Sequence, residues 1–307
     1  MSAEPSAPPL VSVVTAALDP PLDKLMRCIE SVEAQDHPRI EHVVVDGGST
    51  NGALDLLAEH PGVKWRSEPD RGQSDAVNKG FFERSSGELV VWLNADDVLY
   101  PESISAAVEA FRRRPELGWV YGELDVDRHG RRHVLRPPSR AALSELDFNN
   151  VGLIAPGTMF ARWALEQVGP LDEDLNMEMD LDYSIRLLLA GIPAEHLPRP
   201  LALLEIYDGT KSNEVPKREI VVERHRIYLK HGMFQQAGAA LALAGRYEVS
   251  DEIDAALADG RYADASAAAR TGLRFMPSIL ERHRISFWMT RLFPRVMARV
   301  KRSKHRF

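Results

Sequence analysis

The sequence predicts an α/β fold: a mostly parallel sheet flanked by helices, followed by a helical C-terminal appendage. Three observations carry this expectation. Short β-branched apolar runs alternate with segments whose apolar residues recur at helical spacing, as parallel strands joined by helical crossovers do. Three of those runs end directly in polar motifs. Beyond about residue 232 the composition turns Ala-rich. The 307 residues, 44% hydrophobic and 27% charged, suffice for one large domain, or a medium domain with an appendage. The expected division is a flexible N-terminus over 1–9, the α/β domain over 10–232, and a helical region over 233–307 ending in a basic tail.

The elements follow in order. Val11-Ser12-Val13-Val14-Thr15 reads as a buried strand and Asp19-Pro20-Pro21 as a turn. Residues 22–35 carry Leu22, Leu25, Met26, Ile29 and Val32 at helical spacing. Cys28 shares that apolar face and reads as a core residue; as the single cysteine it forms no internal disulfide. A second strand, 42–45, runs into Asp46-Gly47-Gly48-Ser49-Thr50. Then come a helix at 54–59, a strand at 63–66, a helix at 74–82 and a strand at 89–93. The last ends in Asn94-Ala95-Asp96-Asp97. Ligands bind beyond the carboxyl ends of parallel strands, so Thr15, Asp46 and the Asp96/Asp97 pair mark one functional edge. Farther on, a helix is expected at 104–111, a strand around 119–121 and a basic hairpin turn at 128–132. A loop and strand at 152–160, a helix at 182–190 and a short strand within 193–204 follow. Trp65, Trp92, Trp119 and Trp163 are expected in the core or a cleft wall, and His37, His42 and His60 at the surface or in loops. Residues 234–273 read as helical, and 258–277 resembles one unit of a tetratricopeptide-like repeat, which cannot stack on itself.

Charge and hydropathy set further bounds. No run of about 18 apolar residues is present, so no membrane-spanning helix is expected. Residues 1–9 lack the basic and apolar regions of a signal peptide, leaving the cytoplasm as the default compartment. The net charge of −7 is uneven: residues 281–307 hold nine Lys/Arg and one Glu. An acidic body with a basic tail argues against a general nucleic-acid binder. It suits a tail that touches an anionic surface. Within that tail, Trp288, Leu292 and Val296 alternate with arginines at roughly helical spacing. This is the pattern either of an interfacial helix on the inner face of the plasma membrane or of a helix packed on the domain.

Adjacent carboxylates at a strand end repel unless a cation or donor holds them. Magnesium or manganese, which takes one or two protein carboxylates plus substrate phosphates, is a natural partner for Asp96 and Asp97. Asp46 is suited to accept from a nucleobase N–H, in a turn whose glycines permit close approach. The segment from Ser67 to Gly80 is denser. Arg71 is suited to phosphate, and Asp75 opens a helix, where capping and ligand binding are compatible.

In order and spacing, Val11-Ser12-Val13-Val14-Thr15, the Asp46 motif, Ser67-Glu68-Pro69-Asp70-Arg71-Gly72-Gln73-Ser74-Asp75-Ala76-Val77-Asn78-Lys79-Gly80 and Leu93-Asn94-Ala95-Asp96-Asp97 together resemble the inverting glycosyltransferases of family 2. The resemblance covers roughly residues 10–230 and implies the GT-A fold, a Rossmann-like sheet. It implies that Thr15, Asp46 and Arg71 hold the nucleobase, that Asp96 contacts the ribose, and that Asp97 binds the Mn2+ or Mg2+ gripping the donor diphosphate. Glu178-Met179-Asp180-Leu181-Asp182-Tyr183 resembles the segment carrying the catalytic base. That implies Asp180, with Glu178 and Asp182 as rivals and helix capping as the alternative role. Three positions depart from the family: Asn94 and Met179 stand where many members have acids, and Tyr207 where many have a His. The metal shell is then expected either to be thinner or to be completed by Asp208 or the phosphates. Asn149, Asn150, Gly157 and Thr158 fall where an acceptor pocket is expected.

The implied activity is metal-dependent transfer of one sugar from a nucleotide-sugar donor, UDP favoured by family habit. The acceptor is a glycan or lipid-linked glycan in cell-surface polysaccharide synthesis. The Gln-x-x-Arg-Trp signature and membrane helices of processive members are not found, which favours one sugar per event. A nucleotidyltransferase is disfavoured, since no Gly-rich phosphate loop occurs near residues 11–21. A nucleotide-sugar-binding or scaffold protein with a degenerate site is the alternative that the three departures leave open.

Overall fold

The computed structural model describes residues 7–146, 156–259, 261 and 264. The basic tail over 281–307, Asn149, Asn150 and most of the repeat-like stretch lie outside the described residues. The chain falls into two compact units, Met1–Glu214 and Val215–Phe307.

In the first unit, β1 (Val11–Ala17), β2 (Ile40–Asp46), β3 (Val63–Ser67) and β4 (Leu89–Asn94) are joined through helices. These are α1 (Leu22–Glu33), α2 (Ala53–Ala58) and α3 (Gln73–Lys79), the last continuing as a π turn over Gly80–Arg84. β1 and β2 are buried almost throughout, as expected of strands covered on both faces. Then follow β5 (Val98–Leu99), α4 (Ser103–Arg113), β6 (Trp119–Arg128), β7 (Arg131–Leu135) and β8 (Met159–Ala161). The unit closes with α5 (Arg162–Val168), α6 (Met179–Leu189), β9 (Ala194–Ile206) and α7 (Lys211–Glu214). In the second unit, α8 (Lys217–Lys230) and α9 (Phe234–Ala258) are joined by a turn at the composition shift near residue 232.

The sheet order is β3-β2-β1-β4-β8-β6-β9-β5, with β7 paired to β6. It is parallel from β3 to β4, as expected, and turns mixed beyond: β8 is antiparallel to β4 and β6, while β6 and β9 are parallel. The parallel half positions the site. Ala17 pairs with Asp46, and Ala16 with Asn94, so three strands end level on one edge. α3 approaches β1 closely because residue 80 is Gly; a Cβ there would collide with Val14.

Several expectations change. β6 and β9 are far longer than the short strands expected. β9 holds Pro198 and Pro200, which break the strand pattern; the register against β6 shifts on either side of Glu123, as a bulge that tolerates proline requires. His37 and His42 are buried, not on the surface. His42 sits within β2, a strand covered on both faces, so either side-chain direction there is buried. Trp119 is fully buried and Trp92 nearly so, but Trp65 and Trp163 are exposed. Cys28 is buried, as expected, and burial pushes its thiol pKa up, with Asp97 adding to the effect.

Candidate functional site

A cleft of about 550 Å³ opens beyond the carboxyl ends of β1, β2 and β4. Its walls come from the loop after β1 (Ala16 to Pro21), the segment before α3 (Asp70, Gly72, Gln73), the end of β4, the start of α6 and the residues after β9. The first unit alone supplies them.

Asp96 lines this cleft. Its Oδ2 accepts from the Tyr207 hydroxyl at 3.2 Å. Asp97, its neighbour, has no exposed surface. Asp97 Oδ2 accepts from Asn94 Nδ2 at 2.8 Å, whereas its Oδ1 is buried without a hydrogen-bond partner. Burial raises both carboxyl pKa values, Asp97 well above the usual range, where the charge of Asp96 adds to it. Asn94 is itself fixed: its Oδ1 accepts from Gln73 Nε2 at 2.8 Å and Trp92 Nε1 at 3.1 Å. An Asp at 94 would face Asp97 with no proton to donate, so the Asn found here suits its neighbour.

Asp46 lies directly under the cleft edge and is fully buried. Burial opposes its ionisation. Hydrogen bonds from the Ser49 side chain and N–H, the Ser67 hydroxyl and the Gly48 N–H outweigh that and lower its pKa. Asp46 therefore builds the turn and does not line the cleft. Thr15 does not line it either; its hydroxyl meets His42 Nε2 at 3.0 Å, in the interior. The carboxylates that line the cleft here are Asp70 and Asp19, the latter already accepting from the Thr50 and Asn51 N–H groups at 2.7 and 3.2 Å. A Cβ on Gly47 would stand 2.5 Å from Asp70 Oδ2, so the glycine makes room for that side chain. Sequence reasoning missed Asp70; the Gly47-Gly48 doublet was the available signal.

Arg71 lines a neighbouring cavity of about 150 Å³ that shares Gly72, Gln73, Asn176 and Lys211 with the cleft. Its guanidinium pairs with Glu173 and with Asp75 at 3.4 Å. Asp75 is buried and also accepts from the Arg71 N–H at 3.0 Å and pairs with Lys79 at 3.2 Å. These bonds, against the opposing effect of burial, lower its pKa. Asp75 therefore organises the bend before α3.

On the opposite wall, Asp180 occupies the first turn of α6 and lines the cleft. The rivals are separated by burial. Asp182 is fully buried and pairs with Arg186 at 3.4 Å; Glu178 is buried at the helix N-cap. Glu178 makes no side-chain cap bond to α6, whereas Asp180 Oδ1 accepts from the Leu181 N–H at 2.8 Å, a bond of the capping kind. At the end of β9, Glu205 is bound by Lys24 at 2.9 Å and by Arg27. The Asp208 side chain is 91% exposed, 3.9 Å from His129, rather than turned toward Asp96.

A divalent cation fits this donor set. Asp96 offers a hard oxygen in the cleft, and the orphaned Asp97 oxygen lies in the turn behind it. Among the described residues no group of three or more metal-binding side chains occurs.

Comparison with known proteins gives the family and the fold. Residues 12–169 match the model of glycosyl transferase family 2. An uncharacterized glycosyltransferase of Mycobacterium tuberculosis (strain ATCC 25618 / H37Rv) is 32% identical over 189 residues, covering 60% of this chain and 71% of that protein. Two solved structures share the fold. S. aureus TarS 1-349 in complex with UDP-GlcNAc gives a TM-score of 0.58 at 17% identity, over 72% of this chain and 66% of that one. The mannosyltransferase PcManGT from Pyrobaculum calidifontis, in complex with GDP-Man and Mn2+, gives 0.58 at 19% identity, over 98% of this chain and 89% of that one.

Proposed function

Because the chain belongs to glycosyl transferase family 2, we propose that it moves one sugar from a nucleotide-sugar donor to an acceptor hydroxyl, with inversion and with Mn2+ or Mg2+. The observation that carries this reading is the cleft itself. One carboxylate from the end of β4, Asp96, and one from the first turn of α6, Asp180, line the same cavity from different elements. The nucleotide sugars held by TarS and PcManGT, and the Mn2+ of the latter, support it.

In this reading the nucleotide lies at the β1/β2 edge. Asp70 faces the base there, and the Asp46 and Thr15 networks hold the wall rigid beneath it. UDP is the favoured nucleotide. Asp96, rather than the wholly buried Asp97, holds the cation, and Arg71 reaches toward the donor by exchanging its carboxylate partners. The bound cation supplies charge neutralisation at the departing diphosphate. Asp180 takes the proton of the acceptor hydroxyl as its oxygen bonds to the anomeric carbon. The bond from that carbon to the phosphate oxygen breaks on the opposite face, which inverts the centre. The acceptor is a glycan or lipid-linked glycan of the cell surface, and the basic tail the part that meets an anionic membrane.

Release of nucleoside diphosphate from a panel of UDP- and GDP-sugars, with Mn2+ and a glycan acceptor, tests this. Turnover is expected with one donor and should fall by about 10²–10⁴-fold in Asp180→Asn, with donor affinity retained. Equal turnover in both proteins sinks the Asp180 assignment, and no turnover with any donor favours a binding protein.

A further inference from the structure

Three groups at the end of β9 could serve the cation expected at Asp96, and the structure separates them. Glu205 is neutralised by Lys24 and Arg27. Asp208 is turned to solvent. Tyr207 lines the cleft, and its hydroxyl donates to Asp96 Oδ2 at 3.2 Å. Its ring is held from the other side, since Lys24 Nζ lies 5.4 Å from the ring centroid. Lys24 is anchored in turn by Glu205, two residues before Tyr207 on the same strand end. The phenol is therefore braced by the cation that also occupies the nearest competing carboxylate.

We propose that Tyr207 is a positioning residue for cation binding: it pins one oxygen of Asp96 and presents the other to the cleft. The inference rests on Asp96 as the cation ligand. A carboxylate that is alone in ligating a metal is free to rotate about its Cβ–Cγ bond. A hydrogen bond to its second oxygen removes that freedom and sets which lone pair faces the metal. Outer partners of this kind typically contribute about 10–100-fold in metal affinity. Tyr207 does so without adding charge, which is fitting where Asp96, Asp97 and Glu205 already crowd three carboxylates.

Mn2+ binding to the full-length protein, read by the loss of the free-ion electron paramagnetic resonance signal in the presence of saturating UDP, tests the proposal. Tyr207→Phe should weaken Mn2+ at least about ten-fold, leaving the metal-free thermal midpoint unchanged. Tyr207→His should recover much of the affinity by donating to the same oxygen or by ligating directly. The double variant Asp96→Asn/Tyr207→Phe should bind no worse than Asp96→Asn alone. Wild-type Mn2+ affinity in Tyr207→Phe overturns the proposal. If Asp96→Asn also binds like wild type, the cation assignment itself has failed.

Discussion

Asp96 and Asp97 are neighbours in the chain but occupy opposite situations: one lines the cleft, the other is sealed under it. A strand periodicity ends where the strand ends, so no sequence pattern tells which of two residues in the following turn faces outward. The resemblance implied Asp97 as the metal ligand, and the burial favours Asp96. His42 is a different case: its polarity suggested the surface, but it lies in a strand covered on both faces. Burial, with a smaller contribution from His60, lowers its pKa to about 4. The folded state therefore resists a proton that the unfolded chain accepts near pH 6.5. Its contribution, on the order of 3 kcal/mol, is fully present above pH 6.5 and lost as pH falls toward 4. Glu41 adds a second, more acidic window. Burial alone would raise its pKa, but hydrogen bonds from Lys64, Ser12 and Ser86 bring it to about 2, so its contribution is lost between about pH 4.5 and 2. Denaturant unfolding at pH 7 and pH 4.5 should show a marked loss in the native protein and a smaller one in His42→Leu. An equal loss in both would show that other groups carry the acid sensitivity.

At the scale of elements, the strands of the parallel half were legible because each combines an apolar run with a polar terminus. α5 was not, being a seven-residue helix with two buried side chains. The length of β9 was hidden by prolines that only its bulge against β6 accommodates. The turn from Asp46 to Thr50 shows how an element sets a site: Asp46 accepts bonds from within the turn, and Gly47 leaves room for Asp70. Gly47 has no left-handed backbone requirement, so Gly47→Ala should fold and act by displacing the Asp70 carboxylate. UDP affinity, measured by calorimetry with Mn2+, should then fall about ten-fold, a loss of about 1.4 kcal/mol, and Asp70→Ala should fall similarly. Unchanged affinity in both would remove Asp70 from the base site.

For the whole molecule, the order of motifs along the chain gave the family and the fold, because each motif follows a strand and the strands end level. It did not give the mixed half of the sheet, whose pairings depend on contacts distant in sequence. Among the described residues no helix is long and apolar enough to cross a membrane. In the proposed function, the cleft in the first unit binds a nucleoside diphosphate through a cation held by Asp96. Thermal unfolding with UDP, GDP, dTDP or CDP, each with and without Mn2+, tests it most directly. A nucleotide at about 100 times its dissociation constant stabilises by about 2.7 kcal/mol, on the order of 5–10 °C for a unit of this size. Such a shift is expected with one nucleotide, requiring Mn2+ and absent in Asp96→Asn. A shift of equal size without Mn2+, or one that survives Asp96→Asn, would contradict it.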